Sequence, residues 1–268
     1  MPALEATPRP LSSYGQRALR GERLTDILVI DHHGHFGMEP DGMTLEAEVA
    51  DVIRELDFNG VSRAVAFYFG PDYQDGNDLI LRAMEMHPDR VLGYATVVMS
   101  SPGDAMHELE RCRRAGMVGL KLHSFYERER FAGDRYKPVW AFCEEHRWPV
   151  IIHGMDETLP RNYPKTVFIT AHGIQGAATP SSIRMLQECP NYYWCTSATM
   201  CAMGAIERAV EAAGAHKLIF GSDFPGNNLA TRLGSILAAR ISDDAVRAIL
   251  GGNIARILSL TPRKEFPR

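Results

Sequence analysis

Three histidines and an aspartate fall within nine positions in VIDHHGHFG, residues 29–37. Single histidines close two later hydrophobic runs, His153 in PVIIHG and His172 in TVFITAH, and a carboxylate, Asp223, closes KLIFGSDF. Lys121 and His123 end MVGLKLHSF. Neutral imidazole and carboxylate are ordinary ligands for Zn²⁺ and similar divalent ions, and both also move protons in catalysis. Residues i and i+2 of a strand share a face, so His33 and His35 can grip one ion together. By the same parity His32 points away, with Leu28 and Ile30, and Asp31 sits one layer deeper as a supporting residue.

The patterning of the chain says what would hold these groups in place. After about residue 25, eight short β-branched or aromatic runs read as strands: DILVIDHH, VSRAVAFYF, VLGYATVVM, MVGLKLHSF, PVIIHG, TVFITAH, NYYWCTS and KLIFGSDF. Stretches with helical spacing lie between them. Val49, Val52, Ile53 and Leu56 recur at i, i+3, i+4 and i+7, with Thr44 as N-cap and Asn59-Gly60 as a stop. DAMHELERCRRAG ends on Gly116 in the same way, and SDDAVRAILGG opens on the capping Ser242 and an acidic first turn. Alternating strands and helices imply βαβ units and a parallel sheet. Eight units in about 240 residues fit an α/β fold, the (β/α)8 TIM barrel, as a single domain. The barrel is assigned to 25–262, an N-terminal arm to 1–24 and a C-terminal tail to 263–268.

Each polar candidate lies at the C-terminal end of its run, the end at which barrels of this kind place their sites. Lys121 and His123 share one face of their run with Gly119, while Val118, Leu120 and Leu122 form the opposite, apolar face. Each residue has a plainer role if taken singly. A lone strand-end histidine is more often a packing residue, Asp223 would serve as a helix N-cap before PGNN, and Lys121 as an ion-pair partner. His87, His107, His146 and His216, in helical or loop stretches, are assigned to packing or surface. Tyr126 and Trp194 read equally as pocket or core. It is the coincidence of five polar strand ends on one rim that favours a site.

Composition narrows the partners. The 268 residues are 45% hydrophobic and 23% charged with a formal net charge of -4, which is enough apolar material for a sizeable core and offers no basic block. The densest charged run, YERERFAGDR, alternates in sign, so neither nucleic acid nor an anionic membrane is expected as a partner. No run reaches membrane-spanning length, and the N-terminal stretch lacks the apolar segment of a secretory signal. Five cysteines without a CxxC pattern read as reduced thiols, consistent with a cytoplasmic location.

Taken together, IDHHGH, GLKLH, VIIHG, ITAHG, FGSDFP and the closing GGNIARILSL resemble the amidohydrolase superfamily. The similarity is to the amidohydrolase-related branch that includes aminocarboxymuconate-semialdehyde decarboxylase, and it covers roughly residues 26–260. The resemblance implies that His33, His35, His153 and Asp223 ligate one divalent metal, with zinc the expected ion. His172 would stand beside it as polariser or proton carrier. Lys121 matches the strand-four lysine that in some members is carboxylated and bridges a second metal, although in this branch it usually is not. KLHS in place of the common KLHP, and HGMD after strand five, depart from the pattern and leave the substrate open. Members of the branch often pair, so a homodimer is among the expected states.

The leading expectation is hydrolysis of a small carboxylate-, lactone- or amide-containing substrate by metal-activated water. Asp223 and His172 would be the catalytic pair, and Lys121, His123, Arg128 and Arg130 the contacts to the substrate. The alternatives are a metal-dependent non-oxidative decarboxylase of an aromatic or enol acid, a metal-free lactonase using the same rim, and an inactive barrel. The ligand set does not separate these.

Overall fold

The computed structural model describes residues 10–37, 43–70, 72–99, 102–125, 131–173, 180–197 and 203–260. Eight parallel strands follow one another around a sheet in chain order. They are β1 (Ile30–Phe36), β2 (Arg63–Tyr68), β3 (Val91–Thr96), β4 (Gly119–His123), β5 (Val150–His153), β6 (Phe168–Thr170), β7 (Tyr192–Cys195) and β8 (Leu218–Ile219). Helices lie between them, as the sequence implies for a TIM barrel. Those used below are α1 (Ser13–Leu19), α2 (Leu45–Asn59), α3 (Leu229–Leu237), α4 (Asp243–Arg247) and α5 (Asn253–Ile257).

The expected caps are in place. Thr44 Oγ1 accepts from Ala47 N at 3.3 Å, and Gly60 ends α2 with a φ of 71°, a left-handed conformation that favours glycine. Ser242 Oγ accepts from Ala245 N at 3.2 Å at the start of α4.

Strand parity sorts the core into two layers. Leu120, Leu122, Val150, Ile152, Phe168 and Leu218 face outward onto the helices. Ile30, Val65, Phe67, Tyr94, Ile151, Ile169, Cys195 and Ile219 face inward, and Ile254 and Ala255 of α5 join them. The inward parity of β4 and β5 therefore points Lys121, His123 and His153 toward the barrel axis. α1 packs against α3 and α4, outside the barrel.

The barrel closes between its last strand and its first without a regular ladder. Beyond the two residues of β8 the chain runs alongside β1, joined by a parallel bridge between Gly34 and Phe224. Three backbone bonds complete this seam: His32 N to Phe220 O at 3.0 Å, Asp223 N to His33 O at 2.7 Å and His35 N to Phe224 O at 2.9 Å.

The orientation expected for His32 is corrected here. The β1–β2 register shifts between Asp31 and Gly34, where β1 carries one residue more than its partner. Such a bulge breaks the two-residue period. His32 therefore lies buried in the barrel interior, with Nε2 2.9 Å from Tyr94 Oη, while His33 and His35 also face inward.

Among the described residues, no helix is long and apolar enough to cross a membrane. Cys112, Cys143, Cys189 and Cys195 are buried free thiols, as expected, and Cys201 lies outside the described residues. So does the tail assigned to 263–268.

Candidate functional site

β1 delivers His33 and His35, and the stretch after β8 delivers Asp223 from across the seam. Asp223 Oδ1 lies 3.0 Å from His33 Nε2 and 3.1 Å from His35 Nε2. The three side chains can each offer a ligand atom within 4.8 Å of the other two. Gly34, between the two histidines, lets the strands approach, because a Cβ there would stand 2.1 Å from the Phe224 ring. Asp223 itself adopts a φ of 71°, a costly conformation for a non-glycine residue, and the seam hydrogen bond from its N–H to His33 O helps hold it.

The donor chemistry fits a divalent cation. His33 Nε2 is buried and makes no hydrogen bond among the described residues, despite its closeness to Asp223. Its other ring nitrogen, Nδ1, lies 2.9 Å from Ser197 Oγ. With Nδ1–H donating to that hydroxyl, Nε2 carries the lone pair that a metal requires. Burial holds His33 well below the usual imidazole range, assisted by the nearby Lys121 charge. His35 is lowered by burial too, although Asp223 opposes the shift. Both rings are therefore neutral in the neutral pH range. Burial alone would raise the Asp223 carboxyl, but the adjacent nitrogens of His33 and His35 outweigh it and hold it far below the ordinary carboxylate value, ionised.

The triad opens into a cavity of about 160 Å³. His123 and His153 form one wall with their rings stacked, centroids 4.1 Å apart and 11° from parallel. Burial lowers both, His123 to about 3 and His153 to about 4. Phe69 packs edge-on to His123 at 4.9 Å and to His35 at 5.6 Å. His172, at a φ of 56°, packs between His153 and His33, with ring centroids 5.3 and 5.2 Å away, and its Nδ1 lies 3.1 Å from Ser197 O, which leaves Nε2 as its available nitrogen. Burial lowers its pKa as well. Lys121 is 1% exposed and lowered to about 8 by burial, with its ammonium 4.4 Å from the Phe67 ring centroid.

Of the four residues the resemblance assigns to a metal, His33, His35 and Asp223 converge. His153 lines the same cavity but stands outside that tight group. His172, Lys121 and His123 share the cavity wall. Arg128, Arg130 and Tyr126 lie outside the described residues. Trp194 faces the helix layer and belongs to the core. The cap before the helix after β8 is Asn228, whose side chain accepts from Thr231 N at 3.1 Å, and Asp223 is free of that duty.

Ser197, Phe69 and Ser222 were not anticipated. Ser222 and Asp31 lock the seam behind the site. Asp31 Oδ1 accepts from His33 N at 3.1 Å and Ser222 N at 2.8 Å, and Oδ2 accepts from Ser222 Oγ at 2.5 Å. Asp31 is wholly buried, and burial raises its pKa to about 6. A serine or a phenylalanine at a strand end carries no signal that distinguishes it from ordinary polar or packing residues.

An eight-stranded parallel barrel with an HxH pair on its first strand, a histidine ending strand five, another just after strand six and an aspartate after the last strand defines a class of barrel proteins equipped to hold a metal. The amidohydrolase family pattern matches residues 30–260, and the chain belongs to that family. A curated relative, gamma-resorcylate decarboxylase of Polaromonas sp. (strain JS666 / ATCC BAA-500), is 25% identical over 172 residues, 55% of this chain and 51% of the relative. The chain thus matches about half the length of that protein. Crystallised 2,6-dihydroxybenzoate decarboxylase, in complex with 2,6-dihydroxybenzoate, superposes with a TM-score of 0.70 at 16% identity, covering 88% of this chain and 100% of that one. A dihydroxybenzoic acid decarboxylase of Polaromonas sp. JS666, with bound manganese and the inhibitor 2-nitroresorcinol, superposes at 0.71 with 18% identity over 89% and 98% of the two chains.

These relatives correct the expectation of hydrolysis. All three carry the name of a decarboxylase of an aromatic acid, and none that of a lactone or amide hydrolase. The donor set that suggested activated water serves either chemistry, so the residues themselves held no preference.

Proposed function

We propose that this protein is a metal-dependent decarboxylase of a small hydroxylated aromatic acid. The observation that carries the reading is the convergence of His33 Nε2 and His35 Nε2 on Asp223 Oδ1 in the wall of a small cavity. The cavity bounded by the described residues, about 160 Å³, is consistent with a small substrate. Phe69 and the stacked His123–His153 pair supply flat walls for it.

The reaction breaks the bond between ring and carboxylate. The electron pair stays on the ring carbon, which takes a proton, and the carboxylate leaves as CO₂. A divalent ion held by His33, His35 and Asp223, with His153 lining the same cavity, would bind substrate oxygens and draw off developing negative charge. The neutral state of the imidazoles keeps their lone pairs free for that ion at neutral pH. His172 Nε2 would hold and deliver the ring proton, and the ionised Asp223 carboxylate would accept a proton only transiently beside it. The Nδ1 contact to Ser197 O fixes the ring plane of His172 for this role. Manganese, the ion of the crystallised relative, and zinc, the ion expected from the donor types, are the two to compare.

Metal-stripped protein reloaded with Mn²⁺ or Zn²⁺ should release CO₂ from one of a panel of monocyclic hydroxybenzoates. Lactones and amides serve as controls. CO₂ release from none of the hydroxybenzoates, with turnover of a lactone or amide, would overturn the assignment.

A further inference from the structure

We propose that Lys121 is the anchor for the substrate's acidic group and makes the site select aromatic acids over the phenols left after CO₂ departs. This deepens the decarboxylase reading and rests on it for the identity of the acid.

Among the described residues two lysines are buried, and their surroundings differ. Lys217 Nζ donates to three backbone carbonyls, Cys189 O at 2.7 Å, Tyr192 O at 3.1 Å and Pro190 O at 3.2 Å, a fully met structural role. Lys121 is more deeply buried, at 1% exposure, lines the cavity, and has no hydrogen-bond acceptor or ion-pair partner among the described residues. The face of Phe67 and the field of Asp223, which lies beyond ion-pair distance, offset its charge without offering it a hydrogen bond. An ammonium removed from water without an acceptor is strongly disfavoured, so a fold that keeps one aimed into a cavity has left room for an anion.

Position and charge balance say which anion. The Phe67 ring under Lys121 also packs against His33 at 5.1 Å and His35 at 4.7 Å, so the ammonium neighbours the triad. The Lys121 and Asp223 charges cancel and the histidines of the cavity are neutral, which leaves the charge of a divalent ion uncompensated. A hydroxybenzoate supplies negative charge at its carboxylate and a phenol oxygen that can ionise against a cation, and the three-donor ammonium suits the carboxylate. Loss of CO₂ removes the group that Lys121 holds, so the neutral product is bound less well than the substrate.

The test is equilibrium binding, by calorimetry, of 2,6-dihydroxybenzoate and resorcinol to metal-free and Mn²⁺-loaded protein. Wild type, Lys121→Met and Lys121→Arg are compared. Lys121→Met should weaken the acid roughly tenfold to hundredfold, the range for one buried charge-assisted contact, and leave resorcinol unchanged. Lys121→Arg should retain part of the preference for the acid. Because Lys121→Met removes an uncompensated buried charge, it should also melt above wild type, whereas loss of a structural lysine would lower the melting temperature. The proposal is overturned by wild-type affinity for the acid in Lys121→Met, by equal weakening of acid and resorcinol, or by a wild type that binds no acid. Binding does not depend on turnover. A selective loss in a protein that decarboxylates nothing would sink the decarboxylase reading and keep the anchor, and turnover with unchanged acid affinity in the variant would do the reverse.

Discussion

Asp31→Asn isolates the charge of a buried carboxylate that sits behind both strands of the candidate metal site. Both backbone donors, His33 N and Ser222 N, meet the same oxygen, Oδ1, and Ser222 Oγ meets Oδ2. An asparagine keeps Oδ1 for the two N–H groups and can donate its amide to the serine oxygen, so it copies the protonated aspartic acid. Burial raises Asp31 from 3.8 to about 6, so the fold favours the protonated form. The stability that protonation contributes is complete below about pH 4 and gone once pH has risen through about 6. The step from 3.8 to about 6 corresponds to roughly 3 kcal/mol at about 1.36 kcal/mol per pH unit. Urea unfolding of metal-free wild type and Asp31→Asn between pH 4 and 7.5 should show wild type losing roughly that amount relative to the variant as pH rises. Asp31→Ala, which leaves two buried N–H groups without an acceptor, should be roughly 2–6 kcal/mol less stable than Asp31→Asn throughout. Parallel profiles for wild type and Asp31→Asn would refute the reasoning, as would an alanine variant as stable as the asparagine one.

Three further outcomes follow from the site geometry. His33→Ala and Asp223→Asn should each bind less than a tenth of the metal of wild type by elemental analysis, with turnover falling by roughly a thousandfold, while urea unfolding stays cooperative. Ser197→Ala, which removes the partner of His33 Nδ1, should weaken metal affinity roughly tenfold to hundredfold in a chelator competition and leave the melting temperature of the metal-free protein nearly unchanged. Gly34→Ala, whose Cβ would meet the Phe224 ring at 2.1 Å, should cost roughly 1–3 kcal/mol in urea unfolding and reduce metal binding, because relief of the clash must shift the seam.

Much of this architecture is legible in the chain. The eight strand runs are β-branched and separated by helical spacing, and the polar residues ending them declare the rim. Three features were hidden, for distinct physical reasons. His32 faces inward because one extra residue on β1 resets the alternation, and only the register against β2 reveals it. The contact of Ser197 with His33 spans 164 positions, and nothing local to either residue announces it. The reaction was misjudged because imidazoles, a carboxylate and a divalent ion suit both hydroxide formation and binding of a phenol acid. What favours the decarboxylase reading is likeness to known decarboxylases, which no spacing encodes.

The barrel's irregular seam has a consequence for biogenesis. The Asp31–Ser222 contact links positions 191 residues apart, so the two ends of the ring meet only after all eight strands have been made. Contacts of such sequence separation form late in folding. His33 and Asp223 lie on opposite lips of that gap, so a nascent or half-assembled chain has no complete cation trap. Ion capture would then report a finished ring, and an emerging polypeptide, still without the trap, would be spared adventitious metals.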